Sequence, residues 1–171
     1  IMTEFLRLTV HPVADDSRAI DLEFTWTPVA AAIRLAGAEG KSYGGLTLRY
    51  APGTNTVITT PEGVSRDDLY ITRLPWADLS RRWDSGARQG QVSGAALFID
   101  PAHPDFPPTW LTRHYGVLCI GWPGVEGGTF APGQTLRCRY RVWVHRGPAS
   151  LERLRSAYQD YAGPARGVSP P

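Results

Sequence analysis

The chain has 171 residues, enough for one domain with a real core, and its 18 basic and 16 acidic residues leave a net charge of only +2. That balance gives no argument for nucleic acid or an anionic membrane as a partner. The sequence has no run of 18 apolar residues that would make a membrane span.

The first residues already read as structure. Leu6, Leu8 and Val10 alternate with polar neighbours, which predicts a strand over 3–11. The pattern starts at once behind Ile1 and Met2, so the chain is expected to be the C-terminal part of a longer domain. No signal-peptide pattern is visible, and with a start that reads as cut, localisation stays open.

Ile20, Leu22, Phe24 and Trp26 share one face of the next strand, while Asp21, Glu23 and Thr25 share the other. Further strands are predicted at 46–50, 55–59, 69–74, 92–99, 115–120 and 134–145. In the last, Leu136, Cys138, Tyr140, Val142 and Val144 point one way. Arg137, Arg139, Arg141, Trp143 and His145 point the other. Pro and Gly punctuate the runs, as turns between strands require.

One helix is expected, over 149–161. Ser150 stands at its N-cap, and Leu151, Leu154, Ala157, Tyr158 and Tyr161 form an apolar stripe. Residues 163–171 are Pro/Gly-rich and read as a disordered tail. Many strands with one late helix predict an all-β fold, an antiparallel β-sandwich occupying 1–162 as a single domain with no parallel sheet.

Cys119 and Cys138 are the only cysteines, both in apolar strand runs. They read as small buried hydrophobes, and a disulfide between them is left open. Their spacing to the histidines forms no metal site, and no cofactor fingerprint is present, so neither metal nor cofactor is expected.

The stretch 93–124, SGAALFIDPAHPDFPPTWLTRHYGVLCIGWPG, is the densest in chemistry-bearing residues. His103 and His114 frame its loop, with Asp100, Asp105, Trp110 and Arg113 between or beside them. Histidine is the side chain most easily poised for proton transfer near neutral pH, and a nearby carboxylate sets its tautomer. His103, His114 and Asp100 are therefore the candidate acid/base residues. Glu62 and Glu126 sit in turns and could join them only through folding. Trp and Tyr rings stack on sugar faces while Arg and Asp bind hydroxyls, so Arg49, Trp110, Arg113 and Tyr115 are the candidate ligand-binding set. The implied ligand is a carbohydrate or polyol.

Four prolines, Pro101, Pro104, Pro107 and Pro108, fix φ and remove backbone donors. The segment 100–114 is therefore expected to lie over a sheet face rather than pair as a central strand, placing a histidine in a pocket with Arg49 or Trp110. Arg137, Arg139 and Arg141 form a basic strip on one strand face, read as a solvated sheet face or as salt-bridge partners for Asp21 and Glu23 on another strand. His11 and His145 lie on polar strand faces and are assigned no role.

The stretches SRAIDLEFTW at 17–26, KSYGGLTLRY at 41–50, GAALFIDPAHPDFPPTWLTRHYG at 94–116 and APGQTLRCRYRVWVHRG at 131–147 resemble bacterial proteins of the methane oxygenase PmoA-like family. The resemblance implies a β-supersandwich related to galactose mutarotases and sugar-active domains, incomplete here on its N-terminal side. The family's loop carries histidines where this chain has Asp100, Phe106 and Leu111. Gly94, Pro101, Pro104, Pro107, Trp110, Arg113, Tyr115 and Gly116 do match, and they are mostly architecture. Methane oxidation, a copper-associated membrane chemistry, is not expected of a chain with this sequence.

Two functions follow. One is a carbohydrate-binding or structural β-sandwich module. The other is a sugar-active enzyme with a histidine acid/base in the 100–114 loop.

Overall fold

A computed structural model describes residues 2–38 and 40–163. The chain runs β1 (Met2–Ala14), β2 (Ser17–Pro28), β3 (Ile33–Leu35), β4 (Thr47–Arg49), β5 (Gly53–Thr60), β6 (Gly63–Ser65) and β7 (Leu69–Arg73). It continues through β8 (Trp76–Trp83), β9 (Val92–Ile99), β10 (Thr109–Arg113), β11 (Val117–Ile120), β12 (Gly128–Phe130) and β13 (Leu136–Arg146) to α1 (Leu151–Ala162). The expected tail lies, from residue 164 on, outside the described residues.

A seven-stranded sheet, ordered β1-β2-β13-β9-β8-β5-β6, faces a four-stranded sheet, β4-β11-β10-β7; β12 and β3 form a small third sheet. Every strand ladder is antiparallel. The all-β sandwich with one helix is therefore the fold.

The two large sheets bury a common core. Alternation in β13 sends Leu136, Cys138, Tyr140 and Val142 inward, where they meet Ile58, Leu79, Leu97, Trp110, Leu118 and Ile120. Ile20, Leu22, Phe24 and Trp26 of β2 pack at the margin of this core, as their shared face predicts. The core stops there. β1 continues the sheet one strand further, and Leu6, Leu8 and Val10 are left roughly half exposed. The tight β1–β2 hairpin places Asp15 at φ 52°, matching the positive φ that two-residue hairpin turns favour.

On the outer face of the large sheet, α1 covers Trp76, Phe98 and Trp143 with Leu154, Ala157, Tyr158 and Tyr161. The Ser150 side chain accepts a hydrogen bond from the Arg153 amide, which is the predicted cap. Tyr158 Oη donates to the Ile99 carbonyl at 3.3 Å and Arg155 to the Pro61 carbonyl at 2.5 Å, so the helix is tied across the sheet.

Two expectations fail. The strand β8 was not anticipated, although it is central and almost wholly buried. Asp78, Ser80 and Arg81 break its apolar pattern. The segment 100–114 does pair as a central strand over Thr109–Arg113, between β11 and β7. The prolines end at Pro108, one residue before the ladder begins, so they remove none of its donors.

Candidate functional site

The loop histidines part company. His103 lies in the turn between β9 and β10 and is 5% exposed. Its Nδ1 accepts from the Asp105 amide at 3.1 Å, which leaves the proton on Nε2, 3.1 Å from Tyr140 Oη. Burial pushes its pKa down to about 4, against the upward pull of Asp105 and Asp100. Its ring stands edge-on to Trp122, 5.8 Å between centroids. This is a neutral histidine holding a turn and an indole in place.

Asp100 serves the same turn. Its Oδ1 accepts from the Ala102 amide at 2.7 Å, its carbonyl accepts from the His103 amide, and Arg139 lies 3.6 Å from Oδ2.

His114 lies at the far end of β10, in a groove lined by Tyr50, Asn55, Arg81, Asp84 and Tyr115. One oxygen of Asp68 accepts from both its Nδ1 and its amide, each at 2.8 Å. Burial pushes the Asp68 carboxyl up, but these bonds and the charges of His114 and Arg113 hold it below its ordinary value. Arg113 is 3.5 Å from the other Asp68 oxygen.

The expected ligand-binding residues also scatter. Trp110 is fully buried, its indole N–H bonded to the Leu74 carbonyl at 2.8 Å, so it is a core residue. Arg49 is exposed on β4, opposite Val117 at the sheet edge. Tyr115 is 66% exposed beside His114. Arg49 and Trp110 line neither this groove nor the cleft described next.

A more promising cleft, about 740 Å³, opens where the 104–109 turn meets the 122–130 turn. Arg73 projects from the end of β7 and donates to Asp105 at 2.9 Å and to the Pro107 carbonyl at 2.8 Å. Glu126 borders the same space; its carboxylate has no protein partner among the described residues. Trp122 and Phe130, 6.1 Å apart, provide the aromatic wall. Ile71 lines the cleft at φ 53°, as the unopposed residue of a bulge in the β7–β10 ladder. A β-branched residue in that left-handed region is strained, and such strain clusters at sites of function.

Trp122 and Pro123 also border a second, apolar pocket of about 530 Å³ on their other side. Phe24, Trp26 and Leu46 line it, with Glu4 at its margin. Trp26 stacks on Trp122 at 5.7 Å and 7°, and its indole N–H donates to Glu4.

Of the cleft residues, the sequence points to Asp105, beside His103, and to Glu126 as a carboxylate that only folding brings in. Arg73 and Phe130 were missed. Each is an isolated residue at a strand end, with no local motif around it.

The polar strand residues also find partners. Arg141 grips Asp21 through two hydrogen bonds, 2.6 and 2.8 Å, with His11 2.7 Å from the same carboxylate. His145, given no role from sequence, is instead buried against Asp78. Cys119 and Cys138 are free and buried.

No curated protein matches this chain. No solved structure matches it either. Over residues 1–159 it fits the model of DUF6807, a family of unknown function, and the chain belongs to that family.

Proposed function

We propose that the protein is a carbohydrate-binding module whose ligand sits in the cleft between the 104–109 and 122–130 turns. The observation that carries this is the pairing of opposite chemistries across one open space. The Arg73–Asp105 ion pair and the Glu126 carboxylate stand with the rings of Trp122 and Phe130. Sugars present that same combination, hydroxyls at the rim and apolar C–H patches on the ring face. Rigid walls support the reading, because a preformed site binds with little ordering cost. Trp122 is held by Trp26, His103 and Phe130.

The test is thermal shift followed by calorimetry against neutral sugars, uronic acids and short oligosaccharides. A true ligand raises the melting temperature by mass action. Arg73→Ala and Glu126→Gln should remove that shift while leaving the unliganded melting temperature close to wild type. If no saccharide gives a saturable shift, or both variants bind as wild type does, the proposal is wrong.

The sugar-active alternative is favoured by one observation, the hold of Asp68 on His114 Nδ1. That bond fixes the tautomer and leaves Nε2 to take or give a proton. Turnover of a sugar that vanishes in His114→Gln, with its pH profile altered in Asp68→Asn, would select this reading.

A further inference from the structure

Building on the carbohydrate reading of the cleft, and resting on it, we infer that the ligand is an amino sugar with a free, positively charged amine. Among the described residues, three charged side chains line the cleft: Arg73, Asp105 and Glu126. Two of them answer each other. Arg73 donates to Asp105 Oδ1 at 2.9 Å and to the Pro107 carbonyl at 2.8 Å, so its charge is met within the protein. Glu126 stands exposed on the facing turn, and among the described residues no ion pair reaches its carboxylate. The cations around the cleft are engaged elsewhere. Arg34 donates to the Glu126 backbone carbonyl at 2.7 Å, outside the lining, and the Lys41 ammonium lies over the Tyr43 ring. His103, edge-on to Trp122, is uncharged at neutral pH. The lining therefore carries one negative charge with no answer in the protein.

The aromatic wall asks for the same sign. A ring face is the negative end of its quadrupole and attracts an ammonium group. Trp122 and Phe130, 6.1 Å apart, border the space that Glu126 borders. Gly128 leaves the Phe130 ring its place, since a Cβ there would come within 3.0 Å of the ring tip. An ammonium group donates three hydrogen bonds and accepts none. Both Glu126 oxygens can take one, and so can Asp105 Oδ2, because Arg73 uses only Oδ1. A sugar acid would set its carboxylate against Glu126 and find Arg73 already engaged. A hydroxyl in place of the amine would bond without charge, and charge-assisted hydrogen bonds are the stronger kind.

The experiment is calorimetry on the full chain at about pH 6, where the amine is protonated. Glucose and galactose are each compared with their 2-amino, 2-N-acetylamino and uronic acid forms. In one of the two series the amino sugar should bind at least about tenfold more tightly than its hydroxyl parent. That advantage should shrink as salt is raised. The N-acetyl sugar, which has lost the charge, should bind no better than the parent, and the uronic acid should bind worst. Glu126→Lys should reverse the order, placing the uronic acid above the amino sugar, with the unliganded melting temperature close to wild type. Asp105→Asn, which releases Arg73 from its partner, should narrow the advantage of the amine. Equal affinity for amino and hydroxyl sugars, with both lost in Arg73→Ala, overturns this inference and leaves the carbohydrate reading standing. An amine preference that survives Glu126→Lys overturns it too. If no sugar in either series binds, the carbohydrate reading fails and the inference falls with it.

Discussion

Nε2 of His145 lies 3.0 Å from Oδ1 of Asp78 in a place solvent does not reach. Nδ1 of the same ring faces the Gly147 carbonyl at 2.9 Å. The ring thus bridges two acceptors, a carbonyl on one nitrogen and a carboxylate on the other. Gly94 makes room for this pair, since a Cβ there would come within 2.7 Å of His145 Nε2 and of Ser80 Cβ. Breaking a buried pair by removing one partner costs more than the pair contributes, because the other is left unsatisfied. Asp78→Ala should lower stability by about 3–5 kcal/mol in urea unfolding. Asp78→Asn keeps a hydrogen-bonding group against the ring and should cost less. Equal losses would show that the pair is replaceable packing.

His103 gives the protein an acid sensitivity. Its pKa is about 4 in the folded chain, below the ordinary value of 6.5, because burial disfavours the charged ring. Between those values the unfolded chain binds the extra proton and the folded chain does not, so stability falls as pH drops through this window. From about pH 7 to about pH 5 the loss should be about 2 kcal/mol. His103→Gln should flatten that slope. Urea titrations of both proteins at the two pH values measure it, and parallel slopes would refute the assignment.

The two thiols should be silent. Burial pushes Cys138 up to about 11, and Cys119 is 1% exposed. A thiolate is the reactive form, so neither should react with a disulfide reagent at about pH 8 while the chain is folded. Both should react once it is denatured. A fast-reacting thiol in the folded protein would contradict the burial.

Ile71 offers a separation of stability from binding. Glycine adopts positive φ without the Cβ clash, so Ile71→Gly should raise stability or leave it unchanged, despite losing a side chain that is 42% exposed. Non-glycine strain of this kind costs roughly 1–3 kcal/mol. Saccharide binding in the cleft should weaken, because the bulge that aims Arg73 loses its rigid residue. A clear loss of stability would mean that the side chain packs more than its exposure suggests.

Legibility followed burial. The strand Ser17–Pro28 was readable because only one of its faces meets the core, so polarity alternates. The strand Trp76–Trp83 was not, because both its faces are covered and two of its polar residues, Asp78 and Arg81, are bonded inside the protein. Asp78 serves His145, and Arg81 donates to the carbonyls of Ala51, Gly53 and Tyr115. A polar residue satisfied at long range looks in sequence like a loop residue. The same blindness hid the cleft. Arg73 and Asp105 stand 32 positions apart, Glu126 and Phe130 come from a different turn, and only the sheet register brings them together. His103 and His114 share a loop in sequence, but β10 sends them to different ends of the sandwich.

The helix lashed across the outer face gives local opening a direction. Its hydrogen bonds reach the Ile99 carbonyl on β9 and the Pro61 carbonyl beyond β5, and Arg153 covers the ring of Trp143 on β13. The strands from β13 to β5 are thus pinned from behind, while β1 has neither strap nor core beneath it. Amide protons should exchange fastest along β1 and slowest in β8 and β9, so a protein held together at one margin would unravel from the other.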